Sequence, residues 1–284
     1  MLPNSVKTLH GEIRAISTAI PRAIHSHLQA RNPVIDSNAP VILAIPGIGS
    51  PAFILRPLVE HLKQEGHNAH SWGNRTNLGP THLTFNHMER LLRQIFEQTN
   101  QPIIGVGHSL GALYHLHFSR VYPERYSHVI GLAGPCELNL DEAHTHTNIA
   151  ASFTILDHLK PFYRRDLMEN WQRESDRPPN AVPKTMIIAA RDGIVSPFSC
   201  ELPDHPNNLN LYVDLTHGGL LDDPIVHELT EHLVANGNQA PIPPHLQRHL
   251  LTREQVSLFQ KTPPPTVGDI VRGTYNFART AIHR

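Results

Sequence analysis

The run Ile103-Ile104-Gly105-Val106-Gly107-His108-Ser109-Leu110-Gly111-Ala112 leaves the backbone few courses to follow. An apolar stretch of strand length ends at Gly107, and a helical pattern begins at Leu110. The turn between them is so short that a side chain at position 107 or 111 would collide across it, which is why both positions are glycine. The same turn strains Ser109 and pushes its hydroxyl out above the sheet edge. Because a helix starts at once, the Leu110 N–H lacks an intrahelical partner and is available to an anion.

A serine hydroxyl is a weak nucleophile at neutral pH and needs an adjacent base, which in turn needs an orienting acid. The chain carries 22 histidines, so position has to select among them. For a Gly-x-Ser-x-Gly turn the partners follow in the order acid, then histidine, each past the carboxyl end of a strand. Thr185–Ala190 reads as a buried strand and runs into Arg191-Asp192-Gly193-Ile194-Val195. Asn210–Leu215 reads as the next strand and runs into Thr216-His217-Gly218-Gly219-Leu220. Taken singly, Asp192 is an ordinary turn aspartate and His217 an ordinary loop histidine. Together, in this order, they select themselves as acid and base. Asp214 falls inside the expected strand, and Asp222 and Asp223 follow His217, so all three are lesser rivals. Upstream, Pro40–Ile45 reads as a strand, followed by the loop Pro46-Gly47-Ile48-Gly49-Ser50 and a helix over about Phe53–Gln64.

These pieces resemble the α/β-hydrolase superfamily, in its lipase/esterase-like group. Further runs carry the likeness: Asn77-Leu78-Gly79-Pro80, Tyr122-Pro123-Glu124-Arg125 and Gly131-Leu132-Ala133-Gly134-Pro135. The resemblance covers roughly residues 40–135 and 183–235. It implies an α/β-hydrolase fold: a mostly parallel sheet with helices on both faces and a helical cap insert. It also implies a catalytic triad of Ser109, Asp192 and His217, acting through an acyl-enzyme intermediate with no cofactor. Relatives often carry His-Gly after the first of these strands, with the next N–H in the oxyanion hole. Here the dipeptide is Pro46-Gly47, so Ile48 N–H would pair with Leu110 N–H. Ala112 stands where many relatives have a second glycine.

Composition fits a catalytic domain. The 284 residues carry a formal net charge of −1, which gives no electrostatic case for a nucleic-acid partner. Neither a basic start nor an apolar core of a signal peptide is visible, so a cytoplasmic protein is expected. No apolar run approaches the ~18 residues of a membrane span. The two cysteines, Cys136 and Cys200, form one disulfide or none, a choice that depends on their distance in space. His144-x-His146 is at best a weak metal motif, and no metal is expected.

Three segments flank or interrupt the resemblance. Residues 1–38 form an N-terminal arm, where Val6, Leu9, Ile13, Ile16, Ile20, Ile24 and Leu28 recur at helical spacing with a break at Pro21. It reads as a helix packed on the domain, with a surface-seeking amphipathic helix and peripheral membrane contact as the sharper alternative. Residues 39–240 are the catalytic domain, interrupted by the cap insert 136–182. Apolar residues of that insert, including Phe153 and Leu156, suggest a wall for an apolar acyl pocket. Residues 241–284 are a Pro-rich tail with short helices. The expected partner is a small-molecule ester, with acyl length, alcohol group and oligomeric state open. An acyltransferase or thioesterase would use the same triad, and a non-catalytic ligand-binding protein would use the same cavity.

Overall fold

The computed structural model describes residues 40–73, 76, 77, 79–136 and 181–259. The arm, nearly all of the insert with Phe153, Leu156, His144 and His146, and the end of the tail lie outside the described residues. The elements are β1 (Val41–Ile45), α1 (Arg56–Gln64), β2 (Asn68–Ser71), α2 (His82–Thr99), β3 (Ile103–His108), α3 (Leu110–Val121) and β4 (Tyr126–Leu132), then β5 (Lys184–Ala189), β6 (Asn208–Val213), α4 (Pro224–Asn236), α5 (Pro244–Gln247), β7 (Leu250–Leu251) and α6 (Arg253–Phe259).

The strands form one sheet in the order β2-β1-β3-β4-β5-β6-β7. Every pairing is parallel except the last, where Tyr212 faces Leu251 and Val213 faces Leu250 in antiparallel register. β1, β3 and β5 are buried along their whole length, as expected where helices cover both faces. Successive residues of β1 show this directly. Val41, Leu43 and Ile45 join the core under α2 and α3, with Phe85, Met88 and Tyr114. Ile42 and Ala44 join the opposite core under α1 and α4, with Leu58, Leu62, Leu229 and Leu233. The period-two alternation of strand side chains thus feeds two apolar layers.

Three local differences from the sequence reading have physical causes. The helix expected from Phe53 opens as a 3₁₀ turn over Ala52–Leu55 and becomes α-helical only at Arg56, with Pro57 in its first turn. The sixth strand ends at Val213, two residues early, because Leu215 N–H turns back onto Val213 O at 2.8 Å. Leu250–Leu251, in the segment read as a tail, supplies the antiparallel edge of the sheet.

The order of strands reverses between β1 and β3: one crossover leads outward to β2, the next leads inward to β3. Loops leaving the carboxyl ends of strands at such a point diverge and leave a crevice. The Pro46–Ser50 loop and the Gly107–Gly111 turn both leave from there.

Buried histidines make this fold sensitive to acid. Loss of hydration pushes His108 and His115 down to about 3 and His128 to about 4. His115 accepts space left by Gly105 and meets Tyr126 Oη at 3.1 Å, and His128 meets Thr185 Oγ1 at 3.0 Å. All three are neutral in the fold. Above the unfolded value of ~6.5 they are neutral in both states and stability is complete. Below it the unfolded chain takes up protons that the fold refuses, at about 1.4 kcal/mol per histidine per pH unit. Three such groups remove roughly 4 kcal/mol per unit, against the 5–15 kcal/mol typical of a domain. The urea midpoint is therefore expected to fall steeply from pH 6.5 to 5, and a midpoint flat across that range would contradict the linkage.

Candidate active site

Ser109 sits between β3 and α3 with φ 53° and ψ −123°, a conformation non-glycine residues avoid and that costs about 1–3 kcal/mol. Packing holds it there. A β-carbon on Gly107 would lie 2.3 Å from Ala112 N, and one on Gly111 would lie 2.2 Å from Ile45 O. Either substitution would force the turn open. Ser109 N–H donates to Leu132 O at 2.8 Å, tying the strained residue to β4. The Ser109 residue is half-buried, and Leu110 begins α3, so its N–H is among those without an intrahelical acceptor. Ala112 packs toward Gly134: a β-carbon there would stand 2.3 Å from the Ala112 methyl, so the alanine fits because position 134 is glycine.

The loop after β1 passes close over this turn. A β-carbon on Gly47 would stand 3.0 Å from Ser109 Cβ and 3.1 Å from His108 Nδ1. A side chain at position 47 would press on both residues, so glycine there lets the peptide leading to Ile48 pass close to the serine. Asn77 pins this loop. Its Nδ2 donates to Pro46 O at 2.8 Å, its main-chain N–H to Ser50 O at 3.0 Å, and its carbonyl accepts from Gly49 N–H at 2.7 Å. Its Oδ1 accepts from Gly79 N–H and from Tyr114 Oη, both at 3.1 Å. The residue is fully buried, and Tyr114 belongs to the helix that follows Ser109. Asn77 was legible as part of a family-like run but not as an anchor, since its partners are distant in sequence.

Asp192 and His217 meet as expected from their places after β5 and β6. His217 Nδ1 lies 2.7 Å from Asp192 Oδ2, with both side chains almost fully buried. A carboxylate only accepts, so Nδ1 carries the proton and Nε2 is left as the basic nitrogen. Asp192 Oδ1 accepts from Ile194 N–H at 2.8 Å and Val195 N–H at 2.7 Å. The Asp-Gly-Ile-Val turn thereby aims one carboxylate oxygen inward and ties down the other. Asp214 does not compete: its carboxylate is exposed and paired with the Arg191 guanidinium. Asp223 caps α4 by accepting from Ile225 N–H at 2.9 Å. His108, next to Ser109, brings the His217 loop to the turn. Its ring centroid lies 4.6 Å from that of His217, and its Nε2 lies 3.1 Å from His217 O.

Among the described residues no cluster of three or more His, Cys, Asp or Glu side chains is placed to hold a metal, and no helix is long and apolar enough to cross a membrane. Cys136 and Cys200 are both thiols, with Cys136 Sγ 3.1 Å from Cys200 O.

Replacing Asn77 by alanine should free the Pro46–Ser50 loop, leave the Pro46 carbonyl without its buried donor and take one acceptor from the Tyr114 hydroxyl. About 2 kcal/mol of stability is expected to be lost, since a buried polar group left unpaired costs ~1–3 kcal/mol. If the loop contributes an oxyanion donor, kcat should fall about tenfold or more with KM little changed. Urea unfolding and steady-state ester kinetics check both; wild-type values for both would show the anchor to be dispensable.

No protein-family model matches the chain, and no curated protein matches its sequence. Solved structures do match its shape. The mature form of a Bacillus licheniformis lipase superposes with a TM-score of 0.51 at 15% identity, covering 72% of this chain and 96% of its own. A monoacylglycerol lipase of Paleococcus ferrophilus gives 0.50 at 14% identity, covering 70% and 96%. A pyrethroid hydrolase of Sphingobium faniae gives 0.50 at 16% identity, covering 72% and 100%. At such identities the likeness speaks for architecture, and with the sheet order described above it shows that this chain has the α/β-hydrolase fold.

Proposed function

We propose that the protein is a serine hydrolase of carboxylic esters, working through Ser109, Asp192 and His217. The observation that carries this is the buried 2.7 Å contact of His217 Nδ1 with Asp192 Oδ2, in a loop whose ring and carbonyl rest against the residue next to a strained serine. His217 Nε2 takes the proton as Ser109 Oγ attacks the ester carbonyl. The imidazolium is stabilised by Asp192 and then protonates the leaving alcohol. A water deprotonated by His217 attacks the acyl-enzyme, and Ser109 recovers its proton. Ile48 N–H and Leu110 N–H hold the tetrahedral oxyanion; one such donor is worth about 3 kcal/mol. Three solved structures that share the fold are named as two lipases and a pyrethroid hydrolase, which agrees with an ester substrate.

An apolar acyl group is the favoured substrate part, on the strength of the apolar residues of the insert, Phe153 and Leu156 among them. A fluorophosphonate probe tests the chemistry: the expected result is one adduct, on Ser109, that blocks hydrolysis of 4-nitrophenyl esters. A series of acyl lengths tests the pocket, with Phe153→Ser and Leu156→Ser expected to lose more on decanoate than on acetate. Absence of the adduct in the folded protein would refute the hydrolase reading, and equal losses on both esters would refute the wall.

A further inference from the structure

His217 is held at its ring by Asp192, whose Oδ2 lies 2.7 Å from Nδ1. A second hold comes from behind. His108 Nε2 lies 3.1 Å from the His217 carbonyl, and the two rings stand 4.6 Å apart at 58°. A carbonyl only accepts, so His108 carries its proton on Nε2 and donates it there. Its Nδ1 is then bare, buried, and without a hydrogen-bond partner among the described residues. On that side the ring abuts Gly47, where a β-carbon would come within 3.1 Å of Nδ1. One side chain therefore reaches from the loop after β1 to the loop after β6, and its own backbone leads directly into Ser109.

We infer that His108 is a positioning residue for His217, its Nε2–H fixing the His217 main chain and its ring backing the imidazole. The inference rests on the reading of Ser109, Asp192 and His217 as a triad. Two physical points favour it over simple core filling. An apolar side chain of this volume would fill the space but could not bind the His217 carbonyl, whereas His108 does so at the cost of a buried, unpaired Nδ1. Burial first, and then the neighbouring His217, hold His108 down to about 3, so it stays neutral while His217 becomes an imidazolium. A second positive charge at that separation would oppose the proton transfer, whereas a neutral ring does not.

The test uses the full chain, 4-nitrophenyl acetate and a fluorophosphonate probe. His108→Leu keeps the bulk and removes the donor. It is expected to lower kcat and the rate of Ser109 labelling by about 10- to 100-fold, the scale of a small misplacement of a catalytic group, with KM within about threefold of wild type. His108→Gln places an amide N–H near the Nε2 position and should recover most of that loss. Should His108→Leu fail to fold, His108→Asn takes its place: its amide is one methylene too short to reach His217 O, and the same loss is expected. A donor-less variant with wild-type kcat and labelling rate would overturn the inference. Equal impairment of the Gln variant and the donor-less variant would overturn it too, since the hydrogen bond would then be irrelevant. If wild-type Ser109 were not labelled at all, the triad reading itself would fall, an outcome distinct from either of these.

Discussion

Ser109→Ala is expected to remove ester hydrolysis, lowering kcat by roughly 10⁵- to 10⁶-fold, the scale seen when the nucleophile of a serine triad is lost. The size follows from chemistry: without Oγ no acyl-enzyme can form, and on the proposed mechanism only the polarising effect of the Ile48 and Leu110 N–H groups on bound substrate would remain. Fold and stability should be nearly untouched. The serine is half-buried at the rim of the sheet, and alanine meets the same positive φ of 53° with no more strain than serine. Steady-state kinetics beside thermal unfolding check both halves. A variant with a tenth of wild-type activity would disprove the nucleophile, and one that unfolds early would show that the hydroxyl has a structural role.

His217→Ala should be about as damaging, because base and nucleophile act as one unit and the loss of either removes the same covalent step. Asp192→Asn should cost on the order of 10⁴-fold, somewhat less. An asparagine can present its amide N–H toward Nδ1. That would turn the imidazole to the tautomer with its proton on Nε2, where it cannot accept from Ser109. Its Oδ1 can still accept from Ile194 and Val195 N–H, so the turn should survive. Asp214→Asn is the control: that carboxylate pairs with Arg191 at the surface, and an exposed ion pair contributes little. Activity within about twofold of wild type is expected for it. Inactivation by Asp214→Asn with a silent Asp192→Asn would reverse the assignment.

What could be read from the chain alone was whatever short-range sterics dictate. Gly107 and Gly111 are required by a turn only a few residues long, so the strand, the strained serine and the following helix were legible together. The order of Ser109, Asp192 and His217 was legible because parallel strands joined by helices bring successive carboxyl ends to one edge. Tertiary structure decided matters that depend on partners far away in the chain. It turned β6 aside at Val213, leaving Asp214 in solvent, where local apolarity had suggested two more strand residues. It drew Leu250–Leu251 onto the sheet edge, a pairing of two residues too short to show a period. It made anchors of Asn77 and His108, whose partners Pro46, Tyr114 and His217 lie 31, 37 and 109 residues away. Hydrogen bonds of that reach leave no periodic trace in a sequence, because a buried donor requires an acceptor in space and places no demand on its neighbours along the chain.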